Sequence, residues 1–157
     1  MRQSPEKSLR QRALEYLSKR EYAAAELAQK LKSYATEEDD IEALIADFKT
    51  RGWLSDARYA EQMVHARQSK FGSARVAHEL REKGVDDALV AEAVASLQGS
   101  EVERASEVWR KKFKTSPATR EEWAKQARFL QSRGFTFDVI KKILSRHAEN
   151  DSPEDDS

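Results

Sequence analysis

The chain has 157 residues, enough for one domain or a few small stacked units, with 39% hydrophobic and 36% charged residues where about a quarter charged is usual. It has no cysteine, which excludes a disulfide framework and thiolate chemistry, and no apolar run approaches the roughly 18 residues that span a membrane. The formal net charge of zero hides an uneven distribution: Glu149 to Ser157 holds five acids and no base, so the chain without that tail counts 28 bases against 23 acids.

Apolar residues recur at spacings of three and four, and no segment longer than about four residues alternates with the period of two that a half-buried strand requires. Every element is therefore predicted as helix. The first covers Ser8 to Arg20 and offers Arg10, Arg12, Lys19 and Arg20 as a basic surface. A third covers Asp40 to Arg51 and ends at Gly52, after which Trp53 and Leu54 pack across the joint. Ser55 caps the next helix, Asp56 to Ser69, with Asp56 suited to the helix dipole in the first turn. Tyr59, Ala60, Met63 and Ala66 define its inner face, and Arg67 and Lys70 fall on that side, where their stems brace the core or their heads meet a partner. On the following helix Val76 and Leu80 point inward, leaving Arg75, His78 and Glu82 outside and Arg81 at the edge. That phase leaves Arg75 and Arg81 free to meet a partner. The helix Glu101 to Lys114 carries Trp109 in phase with Val102, Ala105 and Phe113, and a basic end at Arg110, Lys111, Lys112 and Lys114. Trp123 lies in phase with Ala127 and Leu130, so both tryptophans are predicted to be core residues.

Three segments align: Glu26 to Ile45, Arg75 to Val94 and Gln126 to Leu144. Leu31, Leu80 and Leu130 recur at steps of 49 and 50, as do Ile41, Val90 and Ile140. The chain reads as three tandem three-helix repeats, spanning residues 1–54, 55–98 and 99–148, followed by an acidic tail, 149–157, whose composition predicts disorder. The predicted fold is all-α, an elongated and curved helical array. In Lys83-Gly84-Val85-Asp86 the glycine takes the left-handed conformation that closes a helix, and Arg133-Gly134-Phe135-Thr136 repeats that grammar. Tyr34-Ala35-Thr36 stands in register without a glycine, so the first repeat must close its joint differently.

Catalytic patterns are absent: no GxxxxGK, no GxGxxG, no HExxH and no serine in an elbow context. His65, His78 and His147 are too scattered for a sequence-local metal site, and the acids of Glu37 to Asp40 read as a solvated face. The expectation is a soluble, cytoplasmic, monomeric protein that is not an enzyme, with no catalytic residue, no metal and no cofactor.

The run Arg51-Gly52-Trp53-Leu54-Ser55-Asp56 with Arg58-Tyr59-Ala60, then Arg67, Gly72, Leu80-Arg81 and Lys83-Gly84-Val85, resembles the RecX family of recombinase regulators in order and spacing. The flanks agree, from Ala13-Leu14, Leu17, Arg20, Glu26-Leu27 and Leu31 to Leu130, Arg133-Gly134-Phe135, Asp138 and Ile140. The likeness runs from about Ser8 to His147. Ala23 stands where the family usually has a capping serine, and the first joint lacks its glycine. The resemblance implies a three-repeat helical protein that binds the RecA recombinase, chiefly as its filament on single-stranded DNA. It implies inhibition of ATP hydrolysis, strand exchange and coprotease activity. With the basic middle repeat, it points to Arg58, Arg67, Lys70, Arg75, Arg81 and Lys83 as the partner- and DNA-binding face. Two other readings stand beside it: a plain nucleic-acid-binding helical module, and an interaction scaffold.

Overall fold

The computed structural model describes residues 7–151, with side chains through residue 146. Among the described residues the chain is all helical: α1 (Leu9–Lys19), α2 (Ala24–Leu31), α3 (Ile41–Thr50), α4 (Asp56–Arg67), α5 (Ser73–Glu82), α6 (Asp87–Gln98), α7 (Glu101–Lys112), α8 (Arg120–Ser132) and α9 (Phe137–Asp151). The expected tail lies outside the described residues from residue 152 onward, as does the side chain of His147; the helical backbone of α9 takes in residues 149–151.

The joint glycines behave as their positions require. Gly52, Gly84 and Gly134 have φ of 77°, 78° and 93°, a region in which a side chain is strained. Each opens the same pair of hydrogen bonds. Gly84 donates to the Arg81 carbonyl and Val85 to Leu80, Gly134 to Gln131 and Phe135 to Leu130, Gly52 to Lys49 and Trp53 to Phe48. These bonds satisfy carbonyls that the helix end would leave open. Val85 and Phe135 are then buried, whereas Trp53 stays 42% exposed. It lies against Phe48, with ring centroids 5.5 Å apart, while Arg10 and Arg51 sit over its ring at 5.7 and 5.1 Å. The joint without a glycine closes by another route. A 3-10 turn, Lys32–Tyr34, follows α2, Thr36 donates its N–H to Asp39 at 2.9 Å, and Asp40 caps α3 by accepting from Ala43 at 3.0 Å.

By its packing the chain falls into two bodies, Met1–Gln62 with Leu80–Val90, and Met63–Glu79 with Ala91–Ser157. The middle repeat is thus divided between them. In the first body the interior is built on Ala13, Leu27, Leu31 and Phe48; in the second, on Ala105, Leu130, Ile143 and Leu144. The repeat-equivalent Leu31, Leu80 and Leu130 are all fully buried, each contributing about 1.5–3 kcal/mol. Trp109 is buried and donates its indole N–H to Gln126 at 2.8 Å, and Trp123 packs at the edge of the same core. On α4 the inner face differs by one position from its predicted phase: Met63 and Val64 are half-buried and Ala66 is exposed.

Two helix starts are capped from the following repeat. The N–H of Ala24, first in α2, donates to Asp56 at 2.7 Å, and the N–H of Ser73, first in α5, to Glu101 at 2.8 Å. Ala23 has no side chain to cap α2, and Asp56 supplies an acceptor to the first N–H of that helix instead.

Candidate nucleic-acid and partner interface

The six cations expected to form one face divide between the two bodies, and most are bound to acids of their own body. In the first, Arg58 donates Nε to Glu21 at 3.0 Å and Nη2 to the Gly52 carbonyl at 2.8 Å. Lys83 lies 3.3 Å from Glu26, which also receives both terminal nitrogens of Arg20 at 3.0 Å. Burial works against the Glu26 charge, but the hydrogen bonds from Arg20 and Lys83 prevail and hold its carboxyl below the usual range; the same bond raises Arg20. Arg81 faces Asp87 at 3.8 Å, with both side chains largely in water.

In the second body Arg67 and Arg75 share Glu79, at 3.1 and 3.6 Å. Arg75 also donates Nη1 to the Ser132 carbonyl at 3.1 Å and lies 4.1 Å over the Phe71 ring. Arg75 and Arg81 both stand exposed, as their helix phase predicts, but Arg75 is engaged by Glu79, Ser132 and Phe71, whereas Arg81 has only its long, exposed ion pair. Helix phase alone placed Arg75 outside its helix, and phase does not report what a neighbouring joint brings to that side. Three of the four bases predicted as a surface on α1 are likewise engaged: Arg10 with Asp47 at 3.0 Å, Arg12 over Tyr34 at 3.9 Å, and Arg20 with Glu26.

Lys70 has different surroundings. With Lys111, Lys112 and Arg133 it lines an open cleft of about 350 Å³ whose remaining lining is Ser69, Val108 and Phe129. No carboxylate belongs to it. Lys70 stands in the turn after α4, Lys111 and Lys112 in the last turn of α7, and Arg133 caps the end of α8. The Arg133 guanidinium is held over Phe71 and Phe129 at 5.7 and 5.1 Å, and Lys112 over Phe129 at 5.7 Å. Two devices fix the turn that carries Lys70. Arg104 donates to the carbonyls of Gln68 and Phe71 at 3.0 and 2.7 Å, and pairs with the buried Glu101. Burial lowers the Arg104 pKa, and the Glu101 charge opposes that. The second device is Gly72, which donates to the Arg133 carbonyl at 2.7 Å.

Sequence reasoning named Lys70, Lys111 and Lys112 on flanking patches that a curved stack can line up along one face, and it read Arg133 only as a joint residue. The available signal was its position: a base at the end of a helix whose partner helix ends in three consecutive bases. Among the described residues no group of three or more His, Asp or Glu is placed to hold a metal ion, and no helix is long and apolar enough to cross a membrane. What the arrangement can do chemically is bind anions.

Comparison with known proteins bears on the whole chain. Sequence models for the first, second and third three-helix domains of RecX match residues 10–48, 55–94 and 100–144 in that order. The regulatory protein RecX of Leptothrix cholodnii is 44% identical over 153 residues, covering 98% of this chain and 97% of that protein. The protein of the same name from Chromobacterium violaceum is 42% identical over 149 residues, with 95% and 97% covered. Among solved structures, RecX from Lactobacillus salivarius superposes with a TM-score of 0.77 at 24% identity over 90% of this chain and 95% of that one.

Proposed function

The chain belongs to the RecX family of regulatory proteins, and from that membership we propose that it regulates the RecA recombinase, binding RecA and its filament on single-stranded DNA. On this reading it inhibits ATP hydrolysis, strand exchange and coprotease activity by occupying the filament, as a cytoplasmic monomer with no chemistry of its own. The observation that carries it is the unbroken order of the three domain matches together with relatives aligned over nearly the full length of both chains. The separation of charge supports it: acids and bases paired within each body leave a surface able to meet a protein, and the unpaired bases of the second body suit phosphate.

A second reading, a helical nucleic-acid-binding module that needs no recombinase, is favoured by that basic cleft. Titrating the protein into a RecA ATPase assay on single-stranded DNA, with binding to naked DNA measured at the same salt, separates the two. Inhibition at concentrations well below those that coat the DNA is expected. Inhibition that tracks coating would instead give the second reading.

A further inference from the structure

We propose that the cleft formed by Lys70, Lys111, Lys112 and Arg133 is a site for consecutive phosphates of a single nucleic-acid strand, with Phe129 and Val108 as an apolar floor for the strand's sugars and bases.

The simplest alternative is that these bases only neutralise helix ends. The turn after α4 and the ends of α7 and α8 converge on the cleft, and each helix C-terminus carries roughly −0.5 charge. Three such ends amount to roughly −1.5 against four full positive charges, which leaves an excess of about +2.5. Five arginines elsewhere in the second body are paired: Arg67 and Arg75 with Glu79, Arg104 with Glu101, Arg110 with Glu107, Arg146 with Glu103. The lining of the cleft contains no acid, so its counter-charge must come from outside.

The kind of anion follows from the rest of the lining. A volume of about 350 Å³ exceeds what one phosphate needs. Three of the four bases are lysines, which act as mobile point charges suited to phosphate groups strung along a flexible backbone. An acidic peptide would gain more from the forked geometry of arginine, and the one arginine here is held over two rings. Phe129, half-buried against Phe113 with Lys112 and Arg133 over its ring, leaves an apolar edge among the bases that suits the sugars and unstacked bases of a single strand, whereas a duplex turns its bases inward. The adjoining cleft shares Ser69 and Lys111 but is lined on its far side by Glu103 and Glu107, which bounds the path of a strand.

This inference rests on the proposed function only for where the strand is met, in a recombinase filament; the site itself is tested without a recombinase. Lys70 and Lys111 are exposed and hold no acid among the described residues, so replacing both by alanine preserves helicity. Binding of fluorescent oligothymidylate is followed by anisotropy against salt. The slope of log affinity on log salt is expected to fall in magnitude by about 1.4 in Lys70→Ala/Lys111→Ala, about 0.7 per lost contact. The matched control Lys49→Ala/Lys125→Ala, with the same change in net charge, is expected to keep the wild-type slope. An unchanged slope in the first variant, an equal fall in the control, or no binding by the wild type overturns the site. Equal binding of a duplex, equal displacement by polyglutamate at matched charge, or equal displacement by inorganic phosphate at matched phosphate overturns the ligand class. In parallel, a wild type that binds the strand but leaves RecA ATP hydrolysis untouched defeats the regulatory reading while the cleft stands.

Discussion

Asp56 accepts the backbone N–H of Ala24 across 32 residues of chain, and Glu101 repeats the relationship with Ser73 across 28. In both cases the first residue of one repeat's opening helix caps the second helix of the repeat before it. The carboxylate so placed faces the positive ends of two helices at once, its own and its neighbour's. In the third repeat, Thr119 caps α8 locally by accepting from Glu122 at 3.1 Å.

Removing the first cap by Asp56→Ala is expected to cost about 1 kcal/mol, and Asp56→Asn, which keeps an acceptor, to recover most of it. Glu101→Ala should cost about 3–5 kcal/mol, because it also strands the largely buried Arg104. Urea unfolding midpoints measure both. An Asp56→Ala variant as stable as wild type would show that water replaces the cap.

The three left-handed glycines differ in surroundings, and their alanine variants should separate accordingly. A Cβ on Gly52 meets nothing within 4 Å, so Gly52→Ala is expected to cost about 1–2 kcal/mol from conformation alone. On Gly84 it would lie 2.6 Å from the Cβ of Ala25, and on Gly134 2.6 Å from the backbone nitrogen of Arg75. Gly134→Ala should be the costliest, since backbone cannot give way as a side chain can. Equal thermal shifts for Gly52→Ala and Gly134→Ala would contradict this.

Arg75 and Arg81 should part company. Arg81→Ala is expected to change stability by no more than about 0.5 kcal/mol, whereas Arg75→Ala loses a charged hydrogen bond to Ser132 and its place over Phe71, together about 2 kcal/mol. Arg81→Glu is consequently the cleaner probe of recombinase contact, and it is expected to weaken inhibition with helicity intact. Unchanged inhibition would remove Arg81 from the interface.

Acid should weaken the first body through its paired carboxylates. Glu26, opposed by burial but held by Arg20 and Lys83, and Asp47, held by Arg10 and Arg51, titrate below their ordinary values of 4.5 and 3.8. Their contribution to stability is complete above those values and is lost as pH falls through the depressed folded pKa values. A Glu26→Gln variant begins less stable at neutral pH, and its melting temperature should fall less between pH 4.5 and acid. A decline as steep as that of the wild type would place the acid sensitivity elsewhere.

Periodicity and the glycine joints made the helices and their ends readable, because both depend on residues within a few positions of each other. Leu31, Leu80 and Leu130 were legible as equivalents for the same reason, and all three are buried. The partners of the basic residues were not legible. Arg75 finds Ser132 across 57 residues and Arg58 finds Glu21 across 37, distances at which spacing carries no signal. The basic cleft was missed similarly, since it joins the ends of three helices that no local pattern connects. Ala23 signalled a missing cap, but the acceptor that reaches this helix start lies in Asp56, a residue whose own position already had a sufficient local explanation.

The placement of the tryptophans has an optical consequence. Trp53 is 42% exposed, in the first body, between two guanidinium groups; Trp109 is buried in the second, its indole donating to Gln126. Excited at the indole band, the protein should emit from a watery and an apolar environment at once. A soluble quencher would then dim the first signal and spare the second. With Trp109 and Trp123 replaced by phenylalanine, the remaining emission would report the melting of one body alone, so the chain carries built-in dyes for following its two halves separately.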